Sequence, residues 1–131
     1  MNRDQLLLRL RALPFDPSEY WLLAGGAMVL YGFREETADI DLGCTAALAD
    51  RLEAEGFPCR ITEGGKRWFK LGDSLEIFEE WLSGPVCMED GVPVVSIPGL
   101  VAMKRALGRE KDLRDIALIE KALAWQKSEM S

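Results

Sequence analysis

Hydrophobic positions recur with a helical period at the start of the chain. Between residue 2 and about residue 13, Leu6, Leu7, Leu10 and Leu13 share one face, while Arg3, Arg9 and Arg11 lie off it. Pro14 ends that helix, since proline lacks the N–H that the next turn needs. Phe15 to Glu19 form a link, and Tyr20 to Ala24 is an apolar run short enough for a first strand. Gly25-Gly26 then reads as a turn into a short helix, Ala27 to Tyr31, followed by a polar turn from Arg34 to Ala38. In Asp39-Ile40-Asp41-Leu42 the period changes to two, which is a strand signal. The alternation puts the Asp39 and Asp41 carboxylates on one face and Ile40 and Leu42 on the other.

Thr45 can cap a helix running to about Glu55, with Leu48 and Leu52 inward and Gly56 suited to its end. Phe57 to Thr62 and Lys66 to Leu71 read as a hairpin around Glu63-Gly64-Gly65. Lys66, Arg67 and Lys70 on that hairpin face either a phosphate or solvent, with solvent favoured for at least two. Ser74 to Glu79 is a further strand, with Leu75 and Ile77 on one side and Glu76 and Phe78 on the other. Trp81 to Gly91 reads as a loop, either a flap beside a substrate or irregular chain, punctuated by Gly84-Pro85 and Asp90-Gly91. Val92 to Val95 is a short strand. Ser96 and Pro98 open a helix to about Leu107. After Gly108, a last helix runs from about Glu110 to Trp125, with Leu113, Ile116, Ile119 and Leu123 as its apolar stripe. Helices mixed with hairpins and strands predict an α+β fold: a mixed β-sheet with helices packed mainly on one face.

Two pieces of this pattern carry chemistry. Two carboxylates on one strand face repel each other unless a cation lies between them, and Mg²⁺ takes oxygen ligands, often one or two carboxylates with phosphate oxygens and waters. A glycine pair between a strand and a helix lets backbone N–H groups approach a phosphate. Each piece alone has a plain structural reading, a tight turn and the wet face of an edge strand. Both within one strand-helix-strand unit point to a metal-bound nucleoside triphosphate.

The chain of 131 residues, nearly half of them apolar, implies one domain, 1–131, with one core. No apolar run reaches the ~18–20 residues of a membrane span. Met1-Asn2-Arg3-Asp4 lacks the form of a signal peptide, so a cytoplasmic location is expected. The net charge of -6 argues against an extended nucleic-acid face. There is no histidine, which removes Ser-His and Cys-His catalysis and histidine-ligated zinc. Cys44, Cys59 and Cys87 are too widely spaced for a zinc knuckle or a redox pair, and are expected to be reduced.

The segment from Gly25 to Leu42 resembles the signature of the nucleotidyltransferase superfamily of the DNA polymerase β type. Within it the closer likeness is to small bacterial members, the minimal and abortive-infection toxin-like groups. The matching residues are Gly25, Gly26, Tyr31, Gly32, Arg34, Thr37, Asp39, Ile40, Asp41 and Leu42. Lys104, Arg109, Lys111 and Asp112 extend the likeness to roughly residues 20 to 120. The resemblance implies transfer of a nucleoside monophosphate from an NTP to an acceptor hydroxyl on a small molecule, an RNA end or a protein, with Mg²⁺ or Mn²⁺. It also implies metal ligation by Asp39, Asp41 and a third carboxylate, for which Glu76 stands at the matching place. The family usually has Asp there; Glu79 and Glu80 are weaker candidates. Gly25, Gly26, Arg34 and Lys104 would hold the triphosphate. Arg109, Lys111, Asp112 and Asp115 are expected to form a salt-bridge cluster between helices. A protein partner or a homodimer could supply a missing wall for so short a chain. A non-catalytic binding or regulatory module of the same fold, including a toxin-antitoxin component, is the alternative.

Overall fold

The computed structural model describes residues 1–130; Ser131, the last residue of the expected domain, lies outside them. The helices begin where side-chain caps occur. Helix α1 (Arg3–Arg11) opens on a reciprocal pair in which Asn2 and Gln5 each accept from the other's backbone N–H. Strand β1 (Tyr20–Leu23) leads directly into α2 (Ala24–Leu30), and β2 (Ile40–Cys44) follows. The Thr45 hydroxyl caps α3 (Ala46–Ala54), which ends at Gly56 in the left-handed region, φ 88°. Next come β3 (Cys59–Ile61), β4 (Arg67–Leu71), β5 (Leu75–Glu79), β6 (Val86–Glu89) and β7 (Val92–Val95). Ser96 caps α4 (Ile97–Leu107), which has Pro98 in its first turn, and α5 (Glu110–Met130) closes the chain.

All seven strands form one mixed sheet in the order β3-β4-β5-β2-β1-β7-β6. β2 pairs antiparallel with β1 and parallel with β5, so it lies at the centre of the sheet and not at an edge. The helices pack mainly on one face. Leu22, Leu42, Ile77 and Phe69 stand in register across four strands, all fully buried. Period-two alternation then dictates what occupies the other face. One row there is Leu23, Asp41, Glu76 and Lys70; the next is Trp21, Gly43, Phe78, Trp68 and Arg60. The first row is charged over most of its length, the second largely aromatic.

Two stretches differ from the sequence reading. Trp81 to Gly91 is not all loop, since Val86–Glu89 forms an edge strand paired with β7. Its side chains are mostly exposed, so no alternation marks it. The local signal was Asp90-Gly91, both with positive φ (49° and 76°), a two-residue turn that suits the twist of a hairpin. In α5 the stripe is displaced. Ile116 and Ile119 are buried, but they share their face with Asp112 and Asp115, while Leu113 is 55% exposed and Leu123 lies past the core. Buried ion pairs, described below, take the place expected for Leu113.

The aromatic row depends on one glycine. A Cβ on Gly43 would lie 1.9 Å from Nε1 of Trp21 and 2.7 Å from the Trp81 carbonyl. Trp21 crosses β2 at that bare position and donates to the same carbonyl at 2.9 Å, tying the chain after β5 to the sheet. Gly43→Ala should therefore lose about 1–3 kcal/mol, the usual range for overpacking. Urea unfolding would read this as a lower midpoint with an unchanged slope; an unchanged midpoint would mean that Trp21 is free to move.

Candidate active site

Parallel pairing of β2 with β5 sets Asp41 directly beside Glu76, and both side chains leave the sheet on the face opposite the Leu42 core row. Asp39 lies one residue before β2, exposed, two positions from Asp41 and directed to the same cavity. Asp41 is only partly exposed, and its Oδ1 is buried with no hydrogen-bond partner. Burial pushes the Asp41 carboxyl up from 3.8 to about 6, helped by the negative charges of Glu76 and Asp39 and opposed by Lys111. A buried carboxylate oxygen without a donor is costly; a cation, or a proton shared with the adjacent Glu76, would satisfy it.

These three carboxylates line one cavity of about 350 Å³, walled on its other sides by the start of α2, by α4 and by the start of α5. Gly25, Arg34 and Lys104 line it as well, so all the proposed site residues except Gly26 meet there. The glycines work differently from the sequence reading. The helix begins at Ala24, so both lie in its first turn, and neither has positive φ; Ala24 does, at 52°. A Cβ on Gly26 would lie 2.6 Å from the Leu22 side chain, so Gly26 allows α2 to sit close on β1. Gly25 faces the cavity, where a Cβ would lie 2.6 Å from Oγ1 of Thr37 and 3.3 Å from Nη1 of Arg34.

The cations of the cavity differ in how far their charge is engaged. Lys104 is 5% exposed; its ammonium donates to Asp115 at 2.9 Å and lies 3.9 Å from Asp112. Arg34 also pairs with Asp115. Arg109 is bound through Nε to Asp112 at 2.6 Å, which holds the Asp112 carboxyl below its usual range. Of the expected cluster of Arg109, Lys111, Asp112 and Asp115, all but Lys111 take part, and the cluster enlists Lys104 and Arg34, which had been assigned to the triphosphate. Lys111 stands outside the cluster. It is exposed, lines the cavity, carries no ion pair among the described residues, and is close enough to Asp41 to lower its pKa. Its position in the first turn of α5, one residue before the buried Asp112, was the available signal for it.

The remaining candidates are committed elsewhere. Glu79 lies on the Leu75 and Ile77 side of β5 and is clamped by Arg67, which holds its carboxyl down to about 2. Arg67 also reaches Asp50 and Glu53 on α3, so it faces neither phosphate nor solvent. Glu80 pairs with Lys66. Burial pushes the Cys44 thiol up to about 12, which makes it unreactive.

Among the described residues, no three cysteine, aspartate or glutamate side chains gather closely enough to hold a metal ion on their own. Asp41 and Glu76 in register, with Asp39 at the rim, suit an ion that takes one or two protein carboxylates and completes its shell with phosphate and water. No helix among the described residues is long and apolar enough to cross a membrane.

No protein-family model and no curated protein matches the chain. Among solved structures, the chain is similar to a Thermotoga maritima protein described as a "putative nucleotidyltransferase", at 16% identity and a TM-score of 0.49, over 95% of this chain and 88% of that one.

Two measurements test the electrostatics. The Asp41 carboxyl ionises less readily folded than unfolded, so its contribution to stability falls as pH rises from about 4 to about 6 and is constant above. Asp41→Asn removes that loss. With chelator present, the variant should exceed the parent by about 1–2 kcal/mol near pH 7.5, after allowance for partial exposure, and match it near pH 4. An equal difference at both pH values would contradict this origin. Lys104→Met leaves Asp115 with Arg34 alone and should lose about 3 kcal/mol in urea unfolding. Adding Asp115→Leu should restore most of it; a second loss of similar size would show that the two residues act independently.

Proposed function

We propose that the chain is a metal-dependent nucleotidyltransferase, moving a nucleoside monophosphate from an NTP to an acceptor hydroxyl. The observation that carries this reading is Asp41 beside Glu76 on the central strands, its Oδ1 buried and unpartnered, in the wall of a cavity that also holds unpaired Lys111. Asp41 and Glu76 would hold Mg²⁺ or Mn²⁺, with Asp39 at the rim and phosphate and water in the remaining positions. When bound, the ion offsets the charge that develops on the transferred phosphate and the leaving pyrophosphate.

The chain's own residues supply the rest. Lys111 meets the phosphates as a mobile point charge. Gly25, without a side chain, leaves room for them beside Thr37 and Arg34. Arg34 is bound to Asp115 yet still about one-third exposed, so its remaining N–H groups are available. Glu76 accepts the acceptor's proton. Lys104 acts indirectly, by fixing Asp115 and through it Arg34.

One observation favours a second reading, a non-catalytic nucleotide-binding or regulatory module. Two of the cavity's cations, Lys104 and Arg109, are neutralised within the chain, and the carboxylates do not close into a three-ligand set.

Glu76→Gln separates the two. In the transferase it should reduce but not abolish the thermal shift given by Mg²⁺ with NTP, and lower pyrophosphate release by about 10²–10⁴-fold, the usual contribution of a general base. Glu76→Asp should retain activity. Nucleotide binding without pyrophosphate release in all three forms, across ATP, CTP, GTP and UTP with a broad acceptor screen, would establish the non-catalytic reading. Failure of every nucleotide to raise the melting temperature would overturn both.

A further inference from the structure

A second cavity, of about 380 Å³, lies on the other side of Glu76 from the first. Glu76 is the one residue in the walls of both. The rest of its lining comes from β3, β4 and the residue before β3: Pro58, Cys59, Arg60, Trp68 and Lys70. Sheet register explains the set. Lys70 is the cross-strand neighbour of Glu76 and ends the charged row, while Arg60 and Trp68 end the aromatic row.

The two cations here are unusual for an acidic chain. Most of its arginines and lysines are paired with carboxylates or bonded to backbone, but Arg60 and Lys70 carry no ion pair or hydrogen bond among the described residues. Arg60 lies over an aromatic ring: its guanidinium carbon is 5.6 Å from the centre of the Trp68 ring. Trp68 is stacked on Phe78 at 5.8 Å with 8° between the planes, and Phe78 meets Trp81 edge-on at 5.0 Å. A guanidinium over a ring keeps its N–H fork free, and that fork can recognise a phosphate in two-point fashion. Lys70 adds a point charge two positions along the same face. The Trp68 indole N–H is buried with no acceptor, a further donor without a partner.

We propose that this second cavity seats a phosphate-bearing hydroxyl compound, one nucleotide or one sugar phosphate in size, and that this compound is the acceptor. The acceptor role rests on the transferase reading above; the seat itself does not. With phosphate on Arg60 and Lys70, the acceptor's hydroxyl approaches Glu76 from the side away from the first cavity. Its oxygen forms a bond to the α-phosphorus as the bond from that phosphorus to the pyrophosphate oxygen breaks. Pyrophosphate leaves with that electron pair, and the hydroxyl proton passes to the Glu76 carboxylate. A volume near 380 Å³ is small for a longer segment and adequate for one such unit.

The test is calorimetric titration of the full-length chain, with Mg²⁺ and saturating non-hydrolysable NTP analogue to keep the first cavity filled. The probes are adenosine 5′-monophosphate and ribose 5-phosphate, each against its dephosphorylated form. Both phosphates should bind, and adenosine and ribose should not. The double variant Arg60→Gln with Lys70→Gln should weaken phosphate binding by about tenfold or more and leave the NTP analogue's affinity unchanged. Preference for the nucleotide would name a nucleic-acid end as the source; preference for ribose 5-phosphate would name a sugar phosphate. Equal binding of the dephosphorylated probes, or no effect of the double variant, overturns the seat. So does an equal loss of NTP affinity in that variant, which would give the cavity to the nucleotide's own base. Phosphate binding that depends on Arg60 and Lys70, without pyrophosphate release, would keep the seat and end the transferase reading. Pyrophosphate release without phosphate binding would do the reverse.

Discussion

Everything at this site depends on the parallel register of β2 against β5. Adjacent strands lie about 4.8 Å apart, so the register alone decides which side chains are neighbours. Sliding β5 by one residue would exchange Glu76 for Leu75 or Ile77 and turn the core row outward. Leu42 and Ile77, fully buried, oppose that slip. The apolar face thus fixes the polar one: hydrophobic burial across Leu22, Leu42, Ile77 and Phe69 holds two carboxylates together that would otherwise repel.

The cost of that repulsion is visible at Asp41, and the molecule treats its other charges differently. Asp112 and Asp115 are more deeply buried but surrounded by Arg109, Lys104 and Arg34. Glu79 is held by Arg67, which also reaches α3. Asp41 and Glu76, by contrast, carry no ion pair among the described residues. The nearby basic groups without ion pairs, Lys111 on one side and Arg60 and Lys70 on the other, stand at the rims of two cavities. The buried charges of α5 are thus matched within the chain, while the charged groups at the two cavities are not.

Much of this was legible in the sequence because local signals and global packing agree. Ser96, Thr45 and Gly56 mark helix ends with side-chain or backbone chemistry that needs no tertiary context. Asp39-Ile40-Asp41-Leu42 shows its two faces through a period of two. What stayed hidden was set by partners distant in the chain. Nothing around Lys104 shows that its ammonium is spent on Asp115. Nothing around Leu113 shows that buried ion pairs would occupy the helix face expected for leucines. Gly26 was misread for a related reason: a glycine that makes room for Leu22 and one that makes room for a ligand look alike in sequence, and only the packing tells them apart. The hairpin of β6 and β7 was signalled by Asp90-Gly91, but an edge strand with exposed side chains has no alternation to support the turn.

The cluster of Arg34, Lys104 and Asp115 has a consequence for how the protein is made. Arg34 and Asp115 are 81 positions apart. A chain emerging from the ribosome presents the carboxylate strand, then its neighbour β5, and only after both the helix that carries Asp115. Until then Lys104 has no counter-charge to enter the interior with, and the cavity lacks one wall. The carboxylate strands can be in register while the cavity beside them still lacks its α5 wall. Docking of α5 is thus the step that both closes the cavity and neutralises Lys104.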